Sequence, residues 1–94
     1  MEVKWLKKAL DNLDKEAEYI AQDNPQAAIV VVQRVKESVN MLQENPSLGR
    51  PGRIEGTKEL VIDKTSYIVP YRICNSKVEI LRVFHTSKKP PKQW

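Results

Sequence analysis

LKKALDNLDKEAEYIAQDNPQAAIVVVQRVKESVNML, residues 6–42, holds two runs of helical period separated by a short break, and the fold follows from reading them together. In the first run Leu6, Leu10, Leu13, Ala17 and Ile20 recur at spacings of four and three, with Ala9 widening the stripe. Asp11, Asp14, Lys15 and Glu18 fall away from it. Asp23-Asn24-Pro25 ends this helix and starts another. Asn24 suits an N-cap, and Pro25 sits at the first helical position, where its missing N–H costs nothing. The second run repeats the design with Ala28, Val32, Val35, Val39 and Leu42. Two stripes joined by so short a turn predict an antiparallel helical hairpin. Ile29-Val30-Val31-Val32 is weak helix material in isolation, so packing must hold that segment. Val30 projects opposite the stripe, as an ordinary exposed valine or as a second buried contact with a partner.

On either side of this segment the period changes. Val3 to Trp5 reads as a short strand with Val3 and Trp5 on one face. Asn45-Pro46 stops the second helix, and a loop rich in Pro and Gly runs from Ser47 to Gly56. Three strands are expected after it, Lys58 to Asp63, Tyr67 to Cys74 and Val78 to His85, with Asn75-Ser76 as a tight hairpin turn. Pro70 has no N–H to give a central strand and predicts a bulge or an edge there. Residues 86–94 form a basic tail with too little apolar content to fold alone, and flexibility is expected of it. The order β-α-α-β-β-β makes the chain an α+β fold, a helical hairpin on one face of a small, mostly antiparallel sheet, in one domain spanning 1–94.

Composition narrows the function classes. At 94 residues, 40% hydrophobic and 30% charged, the chain suits a globular domain. No apolar run approaches the ~20 residues of a membrane helix, and no secretory signal is evident at Met1-Glu2-Val3-Lys4-Trp5. Cys74 is the sole cysteine, which excludes an internal disulfide and fits a reducing cytoplasm. Lying within an apolar strand, it is expected to be a buried structural thiol. The net charge of +4 is divided unevenly. Residues 1–45 carry six Lys/Arg against eight Asp/Glu, and residues 46–94 carry ten against four. The basic half therefore suits an anionic partner: RNA, DNA, an acidic protein surface or an acidic inhibitor.

One histidine and one cysteine give no metal-ligand cluster, and no glycine-rich phosphate loop is present, so neither metal nor cofactor is expected. What remains is a set of cations on the β half: Arg50, Arg53, Lys58, Arg72, Arg82, His85, Lys88 and Lys89. By strict alternation Arg72 shares a face with Ile68, Pro70 and Cys74. In the last strand Arg82 falls with Val78, Ile80 and Phe84, and His85 with Leu81 and Val83. An arginine flanked by apolar neighbours on its own face is either paired, with Glu59 or Glu79 as candidates, or open to receive something.

Ala9-x-x-x-Leu13-x-x-x-Ala17-x-Tyr19-Ile20-Ala21, Asn24-Pro25-x-Ala27-Ala28, Leu42-x-x-x-Pro46-x-Leu48-Gly49-Arg50-Pro51-Gly52, Gly56-Thr57-Lys58-Glu59-Leu60-Val61, Tyr67-Ile68-Val69-x-Tyr71-Arg72 and Val78-x-Ile80-Leu81-Arg82-Val83-x-His85 together resemble the RelE/ParE toxin superfamily over nearly the whole chain to His85. The resemblance implies the same fold and an antitoxin, encoded beside the toxin, that wraps it with a partly disordered segment. It also implies growth arrest, in plasmid maintenance or the stress response, by one of two routes. RelE-like members are ribosome-dependent mRNA endoribonucleases, whose chemistry needs clustered cationic and acid/base side chains. ParE-like members inhibit DNA gyrase by protein contact. RelE-like toxins commonly carry an arginine after the first tyrosine of a Tyr-Arg-x-Val-Tyr strand, where this chain has Ile68. That residue, with the extended front around Asn24-Pro25, favours the ParE branch and a non-enzymatic inhibitor. Arg82, His85, Lys88, Lys89 and Trp94 are then the expected contacts with gyrase. In the alternative, a nuclease acting on ribosome and mRNA, His85 is the acid/base, Arg72 and Arg82 meet phosphate, and Lys58 adds charge.

Overall fold

The computed structural model describes residues 1–94. In chain order the elements are β1 (Glu2–Trp5), α1 (Lys7–Asp23), α2 (Pro25–Asn40), a 3-10 turn (Met41–Gln43), β2 (Arg50–Pro51), β3 (Lys58–Val61), β4 (Tyr67–Cys74), β5 (Lys77–Ile80) and β6 (Phe84–His85). They build a six-stranded sheet of order β1-β5-β4-β3-β2, with β6 paired to β4. Every pairing is antiparallel except that of β1 with β5. The α+β arrangement read from the sequence holds. No helix is long and apolar enough to cross a membrane.

The helices form where their stripes predict. Asn24 caps α2 through its side-chain oxygen, which accepts from the Ala27 N–H at 3.1 Å, and Pro25 opens the helix. The same residue closes α1, donating its N–H to the Ile20 carbonyl. From the helices and the 3-10 turn Ala9, Leu13, Val35, Val39 and Leu42 enter a core shared with Leu60, Ile62, Tyr67, Val69, Tyr71, Val78, Ile80 and Val83 of the strands and the segments that join them. Burying each large aliphatic side chain contributes about 1.5–3 kcal/mol, which is what holds the β-branched second helix in shape. Leu10 departs from the expected stripe and is largely exposed, whereas Ala9 is fully buried. The two are about 100° apart on the helix, so only one of them can face the sheet. Val30 is exposed, as is its neighbour Ile29.

The β4–β5 turn needs no glycine. Asn75 and Ser76 both adopt positive φ, 52° and 61°, the pair of left-handed residues that a two-residue hairpin turn requires. Cys74, expected to be buried, is instead exposed. It is the last residue of β4, paired with Lys77 beside the turn and beyond the apolar centre of the sheet.

Pro70 changes the course of the final strand. Up to Ile80 the register sets Tyr71 against Ile80, but four residues later it sets Ile68 against Phe84, so three residues, Leu81 to Val83, face only Val69 and Pro70. This is a β-bulge, and it divides the expected Val78–His85 strand into β5 and β6. Leu81 donates its N–H to the Pro70 carbonyl at 2.9 Å, and proline has no N–H to return. The guanidinium of Arg82 donates to the Leu81 carbonyl instead, at 2.7 Å. The bulge also reverses the parity expected from strict alternation. Val78 and Ile80 face the helices, and beyond the bulge so do Val83 and His85, while Phe84 turns to the other face with Ile68.

That outer face is apolar as well. Ile68, Pro70 and Leu81 are buried there. The chain returns along it far enough for the Trp94 ring to meet Phe84 edge-on, centroids 5.2 Å apart.

Candidate functional site

The bulge brings His85 to a cleft of about 500 Å³ between α1, the start of β4 and the end of β6. His85 opposes Tyr67 in register, and their rings meet edge to face with centroids 5.0 Å apart. Glu16 enters from α1 with its side chain only 18% exposed. Lys88 reaches it with a 3.7 Å contact. Tyr19, one turn further along α1, lines the rim and is 68% exposed. Burial, reinforced by the neighbouring Glu16 carboxylate, pushes the Tyr67 hydroxyl up to about 12, so the phenol stays protonated at any physiological pH.

The ring of His85 is held by its successor. Nδ1 accepts from the Ser87 N–H at 3.1 Å and lies 2.7 Å from the Ser87 hydroxyl. A backbone N–H can only donate, so Nδ1 supplies the lone pair and the neutral ring carries its proton on Nε2. The one lone pair a general base would use is thereby engaged.

The other cations lie elsewhere. Arg72 is paired in register with Glu79 and bonds it at 2.7 Å, which raises the guanidinium pKa. Glu59, 2% exposed, takes Arg50 at 3.3 Å and Arg53 at 3.2 Å, and also accepts the Arg53 N–H. Those two arginines therefore tie the Gly/Pro loop to β3. Lys58 and Arg72 border a separate, shallower cleft with Pro51 and Ile73. Lys58 opposes Tyr71, four residues along β4 from the Tyr67–His85 pair, a separation of ~13 Å along the strand. Arg82 is committed to the Leu81 carbonyl. The nuclease set Lys58, Arg72, Arg82 and His85 is thus dispersed over three places. Of the gyrase-contact set, His85 and Lys88 share the cleft and Lys89 is exposed. Trp94 is packed on Phe84 with its indole N–H buried and unbonded.

Sequence reasoning passed over Glu16, Tyr19 and Tyr67 as site residues. A signal for Glu16 was present: it lies three residues after Leu13 and four before Ile20, a carboxylate set into the apolar stripe itself.

A helical hairpin on a mostly antiparallel sheet, with a small basic domain's cations spread over its β half, is the form of the RelE/ParE toxins. The profile of the ParE toxin of the type II toxin–antitoxin system parDE matches residues 3–90, and the chain belongs to that family. A candidate toxin, Y4kP of Sinorhizobium fredii, is 46% identical over 95% of this chain and 92% of its own. Toxin RelE2 of Caulobacter vibrioides is 31% identical over 93% and 97%. Among solved structures, the chromosomal ParDE system of P. aeruginosa superposes with a TM-score of 0.81 at 31% identity, covering 90% of this chain and 95% of that one. The RelBE2 toxin–antitoxin complex of Mycobacterium tuberculosis gives 0.58 at 28% identity, covering 89% and 95%.

Proposed function

We propose that this type II toxin arrests its host by binding DNA gyrase, acting in the cytoplasm as a stoichiometric inhibitor and not as a nuclease. The observation that carries the reading is the dispersal of the candidate catalytic cations. Phosphodiester cleavage needs a base and charge-stabilising donors around one phosphate, within hydrogen-bonding reach of each other's substrate atoms. Here Arg72 is held by Glu79, Arg82 by the backbone and the His85 lone pair by Ser87. Ile68, 1% exposed, contributes only an aliphatic wall where the ribonuclease branch places an arginine. Arg82, His85, Lys88, Lys89 and Trp94 are the proposed contacts, with exposed Lys88 and Lys89 supplying the charge that meets an acidic surface.

A cognate antitoxin, encoded beside the toxin, neutralises it. Support comes from a groove of about 490 Å³ between α1 and α2, walled by Ala17, Ala21, Ala28, Ile29 and Val32 and left without cover. An amphipathic segment with acidic residues would fill the groove and also suit the basic half of the chain. Expression alone is expected to stop growth, and co-expression with the neighbouring reading frame to restore it and yield a co-purifying complex. Purified toxin is expected to abolish ATP-dependent supercoiling by gyrase; unchanged supercoiling at a large molar excess would overturn the gyrase assignment.

A further inference from the structure

We propose that the His85 cleft is a receptor for one basic side chain, an arginine or lysine presented by a partner protein, and that Lys88 occupies its charge site in the free toxin. Glu16 is the reason. Its side chain is mostly withdrawn from water and hydrogen-bonded by the Tyr67 hydroxyl, yet its only ionic partner is Lys88 at 3.7 Å, a lysine whose own side chain is 64% exposed. A carboxylate offers about four acceptor positions, and a long, solvent-exposed contact of this kind offsets little of the cost of burying it. A guanidinium or ammonium inserted from outside would bond the same oxygens at shorter range.

The walls suit a cation on an apolar stem. Tyr19 and Tyr67 line the cleft, and the Tyr67 phenol stays neutral beside Glu16. Aromatic faces attract cations through the negative face of the ring quadrupole. Tyr19 is a large ring that is mostly exposed and makes no ring–ring pair. Ile20 and Val31 give the methylene stem of an arginine or lysine an apolar surface to lie on. An anionic ligand would meet the Glu16 carboxylate, and Lys88 is the one lysine or arginine lining the cleft to offset it.

The sign of the Lys88 effect separates a cation receptor from an anion site. Lys88 competes with an incoming cation, so Lys88→Ala should tighten cation binding several-fold, whereas it would weaken the binding of an anion. The experiment uses the whole purified toxin and three probes: acetyl-arginine amide, spermidine and inorganic phosphate. Binding is read from NMR shifts of Glu16, Tyr67 and His85. Acetyl-arginine amide should bind in the millimolar range, more tightly in Lys88→Ala and not detectably in Glu16→Gln. Phosphate should leave these signals unmoved. Phosphate binding that Lys88→Ala abolishes, spermidine binding tighter than the amide, or no response to either cation in Lys88→Ala would each overturn the proposal. None of these readings involves gyrase, so the cleft and the target assignment succeed or fail separately.

Discussion

Tyr71→Phe removes one oxygen and unpins a loop. The Tyr71 hydroxyl accepts from the Gly49 N–H and donates to the Pro46 carbonyl, both at 2.8 Å, in a fully buried position. A Cβ on Gly49 would lie 2.6 Å from the Tyr71 ring, so the glycine is there for close approach and the pair specifies the turn out of the helical hairpin. Leaving the Gly49 N–H without a partner should cost about 1–3 kcal/mol, measurable as a lower urea midpoint; an unchanged midpoint would mean water replaces the hydroxyl. Tyr67 makes a different test. Its hydroxyl titrates near 12 in the fold and near 10 in the unfolded chain, so the neutral form is favoured by folding. The stability this provides is complete below pH 10 and is lost as pH rises through 12. By pH 11 the loss from Tyr67 should be about 1 kcal/mol, with burial of Tyr71 adding in the same direction. Tyr67→Phe should flatten the fall in unfolding free energy between about pH 9 and pH 11, and an equally steep fall in that variant would refute the assignment.

At the scale of elements, the bulge opposite Pro70 decides where His85 points. Without the extra residue, even-numbered positions would continue to face the helices and His85 would lie on the outer face. Arg82 stabilises the bulge by serving the carbonyl that proline cannot. Arg82→Ala should therefore cost on the order of 1 kcal/mol, and nearly nothing in a Pro70→Ala background, where a restored N–H can serve the same carbonyl. Equal costs in both backgrounds would show that the two residues act independently. The helices, their shared cap and the β4–β5 hairpin were all legible in the sequence, because period and capping chemistry are local signals. Pro70 marks the bulge in the sequence but not the parity beyond it, because a one-residue slip reverses every side chain that follows. Glu16 was obscured for a related reason: a hydrophobic stripe directs attention to its apolar members, while a polar residue on the same face marks the site.

For the molecule as a whole, charge and shape divide the work. The acidic front half supplies the helical hairpin, Glu16 and the edge strand β1, and the basic back half supplies the other five strands and the tail. Arg50, Arg53 and Arg72 serve as internal ties to Glu59 and Glu79, so the whole-chain charge overstates the freely available cations, of which Lys89 is one. Composition could not reveal which arginines were already paired, because that depends on register between strands distant in sequence. The proposed inhibition of gyrase works by occupancy, and occupancy has a stoichiometry. The most direct measurement titrates purified toxin into a gyrase supercoiling reaction while the same sample is assayed for mRNA cleavage in a reconstituted translation mixture. The expected result is supercoiling lost as toxin saturates gyrase, with mRNA intact. Ribosome-dependent cleavage at substoichiometric toxin, with supercoiling unaffected, would contradict it and return His85 and the arginines to a catalytic role.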